Sequence, residues 1–211
     1  MKFQIGDVTD KALSATMVHE LFLCSENFAT FYQLISLPSM QPRTKAIKIK
    51  CNDAYARFIQ HLYEFWVAAV QRAAGTTSSI PAAELDALLK SEAEKSLRNN
   101  AVGIQHKNLP GWQADVQSLP TVLDAEFGKH FRLIRNRTAH ASHRRAMPAP
   151  GDLTLSEFYS RYHHAVKSMF ETAKFTWTVR DVEAFNWMEI ESFDVAASGS
   201  LQRGINSHVE M

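Results

Sequence analysis

The sequence predicts an all-α protein, a helical bundle with long antiparallel helices, from three observations. Apolar residues recur at three- and four-residue steps over most of the chain, which is the period of a helix face. Proline-containing breaks such as LPSMQP at 37–42 interrupt that pattern, because proline cannot continue a helical hydrogen-bond ladder. Capping-box patterns occur twice, with Thr121 and Thr154 each followed three residues later by an acid.

The first half of the chain predicts three helices. The first is expected from Thr9 to Leu37, and the second from Thr44 to about Ala74. The segment GTTSSIP at 75–81 ends the second helix, and its proline suits the first turn of a third. The stretch AAELDALLKSEAEKSLRNN at 82–100 is rich in good helix formers, so we expect the third helix there.

The second half is less regular. We expect a long loop from Ala101 to Pro120, a fourth helix from about Thr121 to about His140 or His143, and a last helix through residues 155–175. Beyond Trp177 the pattern weakens. The segment WMEIESFDV at 187–195 alternates slightly and predicts a short strand or irregular structure, followed by a flexible tail. These features predict one helical domain over residues 1–177, with a variable part at about 79–120, and a C-terminal extension over 178–211.

Composition predicts a cytoplasmic globular protein. Of 211 residues 45% are hydrophobic and 21% charged, enough to build a core without disulfides or metals. The longest apolar run, residues 65–70, is too short for a membrane span, and acidic residues stand where a signal peptide needs an apolar stretch. Cys24 and Cys51 are isolated from each other in sequence and predict reduced thiols packed as small apolar residues.

The charge distribution is uneven. A net charge of +1 excludes a uniformly basic nucleic-acid coat. However, residues 127–151 contain no acid, and six cations fall there: Lys129, Arg132, Arg135, Arg137, Arg144 and Arg145. One interpretation is a solvated helix end whose cations stabilise the negative end of the helix dipole. The other is a site that holds a phosphate and moves a proton.

A helical wheel arranges the side chains of this segment. At about 100° per residue, one narrow stripe carries the core-facing positions Leu123, Phe127, Phe131, Ile134, Thr138 and Ala141. Asn136 lies about 180° from the centre of that stripe and His140 about 140°, and the two are one turn apart. Arg135 lies at the stripe edge, about 80° from its centre, and must reach around to join them. We therefore expect His140 to point to solvent or to a partner surface.

The segment IRNRTAH at 134–140 resembles the Arg-x4–6-His motif, with a polar residue after the arginine, of the HEPN superfamily. The order of elements is similar as well, with two long antiparallel helices first and the motif before the last helix. The resemblance implies a metal-independent endoribonuclease, found in many members as a toxin or phage-defence effector, or else a non-catalytic nucleotide-binding or adaptor module. Ser142 stands where one toxin subgroup has a tyrosine, so regulation through that tyrosine is not implied.

The residue types suit this chemistry. Histidine can give or take a proton near neutral pH, and the arginine fork stays charged and can bind two phosphate oxygens. We predict His140 as general acid or base, Arg135 as clamp for the phosphate and transition state, and Asn136 as the residue that orients them. Residues predicted to bind RNA phosphates are Arg132, Arg137, His143, Arg144 and Arg145.

Partners follow from the reaction. RNA cleavage needs two proton transfers, whereas one helix offers one motif histidine, so we predict a homodimer that places two motifs in one cleft. RNA is the expected substrate, and the resemblance implies a cognate antitoxin protein as a further partner. No cofactor, metal or membrane is expected. A non-enzymatic binding module and a plain helical interaction protein stay open as alternatives.

Two further groups of residues have alternative interpretations. His140 and His143 with His163 and His164 could form a metal site, but no carboxylate or thiol joins them in sequence, so we favour surface or core-edge histidines. Asp53, within the apolar run of the second helix, either pairs with a motif arginine or faces solvent, and solvent is favoured. The aromatic residues Phe58, Trp66, Phe127, Phe131 and Phe170 are expected in the core.

Overall fold

The computed structural model confirms the all-α class. It describes residues 2–36, 43–105, 121–139, 149, 152–177 and 190–195. Five long helices make up most of this part: α1 (Val8–Ile35), α2 (Lys45–Ala73), α3 (Ala82–Gln105), α4 (Phe127–Ala139) and α5 (Leu155–Thr176). Residues 190–195 form a short further helix. Among the described helices, none combines the length and apolar character that crossing a bilayer requires.

Helices α1 and α2 form an antiparallel pair that is fixed at both ends. Near the start of α1, Asp10 is buried and accepts two hydrogen bonds from Arg72 at the end of α2, with N–O distances of 2.6 and 3.1 Å. Near the other end, the ring of Phe31 packs against Tyr55 with centroids 4.8 Å apart. Thr44 caps α2 by accepting from the amide of Ile47, as the predicted start of this helix requires.

One continuous core joins the helices. The expected core aromatics are confirmed, because the side chains of Phe58, Trp66, Phe127, Phe131 and Phe170 are all buried. Cys24 is buried as well, and burial raises the pKa of its thiol well above the usual range. Cys51 is only partly buried beside the core. The prediction that both thiols pack as small apolar residues is therefore confirmed for Cys24 and only in part for Cys51.

Helix α4 crosses α3 unusually closely. A Cβ atom added at Gly128 would lie 2.0 Å from the backbone oxygen of Asp86 on α3, so only glycine fits there. One turn later, Arg132 donates to both carboxylate oxygens of Asp86, each at 2.9 Å. The close backbone approach and the paired hydrogen bonds act at the same point and set the position of α4 against α3.

The start of α4 differs from the prediction. The helix begins at Phe127 rather than near Thr121, because the preceding amides bond elsewhere. The amide of Leu123 donates to the Glu94 carboxylate on α3 at 2.9 Å, and the amide of Glu126 donates to the Asp124 side chain at 3.0 Å. The predicted capping box at Thr121 and Asp124 is therefore wrong, and Asp124 closes a turn instead.

Two other expectations need correction. The third helix continues to Gln105, so the prediction of a loop is wrong for residues 101–105; residues 106–120 lie outside the described part. Residues 190–195, predicted as part of a short strand, are helical. A brief alternation of apolar and polar residues does not distinguish the two structures, and 191–195 are exposed. The capping box of the last helix is confirmed, with Thr154 and Glu157 bonding reciprocally.

His163 of α5 lies in an aromatic cluster with α2. Its Nδ1 is 3.1 Å from the Tyr55 hydroxyl, and its ring stacks on Tyr159 with centroids 4.5 Å apart. Burial, together with the positive charge of Lys167, lowers the pKa of His163 to about 4. The imidazole is therefore neutral near pH 7.

We expect Gly128→Ala to destabilise the protein by about 1–3 kcal/mol, because the new methyl group overlaps the backbone of Asp86. The sign is informative, since the same change in an unobstructed helix stabilises by about 1 kcal/mol. Thermal unfolding measures the effect. Lys129→Ala, at the exposed neighbouring position, is the control and should change stability little. An equal or higher melting temperature for Gly128→Ala would contradict the close crossing.

We expect His163 to make folding stability decrease as the pH falls from about 6.5 to about 4. In that window the unfolded histidine binds a proton and the folded one does not, so protonation favours the unfolded state by roughly 2–3 kcal/mol. The free energy of unfolding should be measured over this range for the wild type and for His163→Gln. The variant should show a shallower pH dependence. Parallel curves would contradict the low pKa of His163.

Candidate functional site

Helix α4 presents Arg135 toward α2 because of its buried stripe. Phe131 and Ile134 are almost completely buried, and the Phe131 ring meets Tyr63 of α2 edge to face, with centroids 5.2 Å apart. With that stripe fixed, Arg135 at its edge reaches the next residue of α2, Glu64. The predicted stripe is confirmed for its described members up to Ile134, while Thr138 is half-buried.

Arg135 lies at the centre of a small polar cluster. Its guanidinium hydrogen-bonds through Nε and pairs through Nη2 with the carboxylate of Glu64. Its Nη1 donates to the side-chain oxygen of Asn136 at 3.0 Å. The guanidinium also lies over the ring of Tyr63, 5.8 Å from its centroid. The expectation that Arg135 reaches around to Asn136 and His140 is thus confirmed for Asn136, whereas His140 lies outside the described residues.

This cluster keeps capacity for a further acceptor. A guanidinium has five N–H donors, and the contacts with Glu64 and Asn136 engage one on each nitrogen. Within the described residues, one donor therefore remains on Nη1 and one on Nη2. The Arg135 side chain is 28% exposed, so a ligand can reach it. Two remaining donors on adjacent nitrogens match two oxygens of a phosphate.

Tyr63 is not suited to proton transfer in this cluster. Burial, reinforced by the negative charge of Asp86, raises the pKa of Tyr63 to about 12. The phenol therefore keeps its proton at neutral pH. Its contribution to the cluster is the face of its ring, which restrains the Arg135 guanidinium.

The remaining motif positions are only partly described. His140 lies outside the described residues, as do His143, Arg144 and Arg145. The structure therefore brings Arg135 and Asn136 together, and the predicted role of His140 stays a prediction. Asn136 uses its oxygen for Arg135, which leaves its amide nitrogen as the group that can orient a second residue.

The basic segment is less positive than its sequence suggests. Each of its described cations meets a carboxylate from another part of the fold or from just before the helix. These pairs are Lys129 with Glu126, Arg132 with Asp86, Arg135 with Glu64, and Arg137 with Asp152. The absence of acids within 127–151 therefore does not produce an unopposed positive surface on the described part of α4. Arg132 and Arg137 remain only predicted phosphate ligands.

Glu64 is the functional candidate that sequence reasoning missed. The only signal was an acid between two aromatic core residues, Tyr63 and Phe65, in the apolar run of α2. The acid singled out instead was Asp53. Its carboxylate pairs with Arg57 one turn along the same helix, at 2.8 Å, and is 47% exposed. The alternative in which Asp53 holds a motif arginine is wrong.

The histidines of α5 lie at the edge of the core. His163 and His164 are both half-buried, as the core-edge interpretation predicts. The Nε2 atom of His164 is buried without a hydrogen-bond partner in the described part of the chain, and burial lowers the pKa of that imidazole. In the same described part, no three His, Cys, Asp or Glu side chains group as metal ligands would.

A second set of hydrogen-bonded side chains joins the start of α4 to α5. The Tyr162 hydroxyl donates to the Asp124 carboxylate at 2.7 Å and lies 2.9 Å from Nδ1 of His130. Because the hydroxyl donates its proton to Asp124, it accepts from an Nδ1–H of His130. Burial lowers the pKa of His130, which favours this neutral ring. These contacts hold α4 in the rotation that presents Arg135 to Glu64.

Comparison of the chain with protein-family models, with curated proteins and with solved structures found no match in any of the three.

Proposed function

We propose that this chain is a metal-independent endoribonuclease of HEPN type, with Arg135, Asn136 and His140 as its catalytic group. The observation that carries the proposal is the oriented, partly exposed guanidinium of Arg135. It is held by Glu64 and Asn136 and retains two N–H donors on the last turns of α4. His140 follows Asn136 by four residues in the sequence, directly beyond the described end of α4.

The proposed reaction uses these groups in separate roles. The 2′-hydroxyl of the RNA attacks the adjacent phosphorus, and its proton passes to one histidine. The bond to the 5′-oxygen breaks, and that oxygen receives a proton from a second histidine. Arg135 stabilises the extra negative charge on the phosphorane, and an arginine that Glu64 already orients reorganises little during the reaction. Asn136 positions the neighbouring histidine.

Two histidines in one cleft require two chains in this proposal. Each protomer supplies one His140 and one Arg135, and the homodimer forms the complete site. RNA is the substrate, Arg132, Arg137, His143, Arg144 and Arg145 bind its backbone, and no cofactor takes part. The protein acts in the cytoplasm as a toxin or phage-defence effector that a cognate antitoxin protein restrains.

One observation favours a second candidate, a non-catalytic binding module of the same type. The described arginines of α4 already have carboxylate partners, including the two-point contact between Arg132 and Asp86. Arginines held in this way can position the helix without taking part in catalysis. In that case α4 presents a rigid polar surface to RNA, a nucleotide or an acidic partner without chemistry.

The first prediction for this function concerns RNA cleavage. Purified wild-type protein should cleave single-stranded RNA in the presence of a metal chelator. Arg135→Ala should reduce the rate about 10²–10³-fold, as loss of a transition-state donor does. His140→Ala should reduce it about 10²–10⁴-fold through loss of proton transfer. RNA fragments resolved over time give the rates.

Binding measured alongside separates the candidates. RNA binding at low salt should persist in His140→Ala and weaken as salt rises. Arg57→Ala, which removes an exposed arginine already paired on α2, is the matched control and should cleave normally. Salt-sensitive binding by a wild type that never cleaves would favour the binding module. A wild-type protein that neither binds nor cleaves RNA would favour the third alternative, a helical interaction protein.

The composite site makes a second prediction. When wild-type protein is mixed and re-equilibrated with excess His140→Ala, mixed dimers form in which each cleft lacks one histidine. Activity per wild-type chain should then fall in proportion to the wild-type fraction. Cleavage that is unaffected by the excess, or full activity in a monomer at high dilution, would contradict the two-chain site.

A further inference from the structure

We propose a second, independent binding site for a small aromatic phosphate monoester, in an open cavity where the starts of α2 and α5 meet the end of α1. The cavity has a volume of about 270 Å³ and shares no residue with the Arg135 cluster. A cavity of about 150 Å³ in a protein core accommodates benzene, so this one has room for an aromatic ring with a phosphate group attached.

Among the described residues, two cations and no acid line this cavity. Arg43 donates through Nη2 to the carbonyl oxygen of Ile35 at the end of α1, which holds the guanidinium in place while its other donors remain. Lys48 is exposed and forms no ion pair or hydrogen bond within the described part of the chain. Two cations without a carboxylate partner match a ligand with two negative charges, which is the charge of a phosphate monoester near neutral pH.

The helix ends that border the cavity favour an anion as well. The first turn of α2 contains Lys45 and Lys48 and no acid. Because the N-terminus of a helix carries a partial positive charge, cations destabilise this turn and a bound anion stabilises it. On the opposite side, Leu155 and Ser156 begin α5 and line the cavity, and their amides have no acceptor among the described residues. Those amides are available to phosphate oxygens.

Nearby acids do not oppose this charge. Asp53 pairs with Arg57 on the same helix at 2.8 Å. The Glu157 carboxylate accepts from the amide and the hydroxyl of Thr154, at 2.7 and 2.8 Å. Neither acid lines the cavity, whereas the exposed hydroxyl of Ser156 does and adds a neutral donor for a phosphate oxygen.

The apolar part of the wall is aromatic. It contains the buried residues Phe31 and Tyr55 and the half-buried Tyr159. The Tyr159 ring stacks on His163 with centroids 4.5 Å apart, and it meets Phe31 and Tyr55 edge to face. These contacts hold the Tyr159 ring in place while part of it remains accessible. Aromatic rings pack favourably against one another in offset or edge-to-face arrangements, so this wall favours an aromatic group on the ligand.

The test titrates 4-fluorophenyl phosphate with the full-length protein at about 0.15 M salt and follows binding by fluorine NMR. The matched probes are 4-fluorophenol, which lacks the phosphate, and inorganic phosphate, which lacks the ring and is used as a competitor. We expect saturable binding of the aryl phosphate, and binding of 4-fluorophenol at least about tenfold weaker, since it loses the charged hydrogen bonds. Inorganic phosphate should compete, but at concentrations at least about threefold higher than unlabelled phenyl phosphate requires.

Two pairs of variants locate the bound probe. Lys48→Gln should weaken binding about three- to tenfold. Lys45→Gln removes the same charge from the same turn but outside the cavity, and should change binding less than about twofold. Ser156→Glu should weaken binding at least about tenfold, because it adds a negative charge at the site. Ser160→Glu, outside the cavity, should change it less than about twofold. Both serines are exposed, and an acid in the first turn favours a helix, so unfolding does not explain a loss in Ser156→Glu.

Arg135→Ala separates this site from the proposed catalytic site and should bind the aryl phosphate as the wild type does. Binding that is lost in Arg135→Ala but retained in Lys48→Gln and Ser156→Glu would place the probe at the Arg135 cluster and overturn the second site. Equal effects of Lys48→Gln and Lys45→Gln would overturn it too. So would equal binding of 4-fluorophenol, or no saturable binding of the aryl phosphate up to about 10 mM.

Discussion

The ion pair between Arg135 and Glu64 joins α4 to α2 at the point where the motif begins. Arg135 lies at the edge of a buried aromatic stripe, so its guanidinium is only partly exposed to water. Glu64 supplies the charge that makes this position tolerable, and Tyr63 restrains the guanidinium from one side. A half-buried arginine costs hydration energy unless a carboxylate and further acceptors meet it. Removing either partner therefore affects both packing and the orientation of the motif.

The same rule explains the remaining arginines of α4. Asp86 holds Arg132 at the close crossing beside Gly128, and Asp152 holds Arg137 just before α5 begins. Together with Glu64, these carboxylates come from three different parts of the chain and fix the rotation and the position of one helix. Exposed ion pairs contribute little to stability, typically below about 1 kcal/mol, but partly buried and two-point contacts of this kind define geometry. The arginines of α4 therefore fix the position of the helix, and only the hydrogen-bond donors that remain on them are available to a ligand.

Local signals were sufficient to predict much of the fold. Thr44 and Thr154 cap helices where their side chains suggest, and Phe127, Phe131 and Ile134 occupy the buried face that their spacing indicates. Long-range partners were not predictable in the same way. Glu94 lies 29 residues from the amide of Leu123 that it binds, and Glu64 lies 71 residues from Arg135. Nothing in the spacing of a single sequence specifies which acid meets which arginine, so the late start of α4 and the pairing of its charges emerge only from the fold.

The most direct test of the account asks whether Glu64 acts through Arg135. The measurement is the rate of RNA cleavage in chelator for the wild type, Glu64→Ala, Arg135→Ala and the double variant. If Glu64 positions the arginine, Glu64→Ala should lose about tenfold, and the double variant should be no slower than Arg135→Ala alone. Cleavage by Glu64→Ala at or above the wild-type rate, or losses that simply multiply in the double variant, would contradict an Arg135 that Glu64 orients for catalysis.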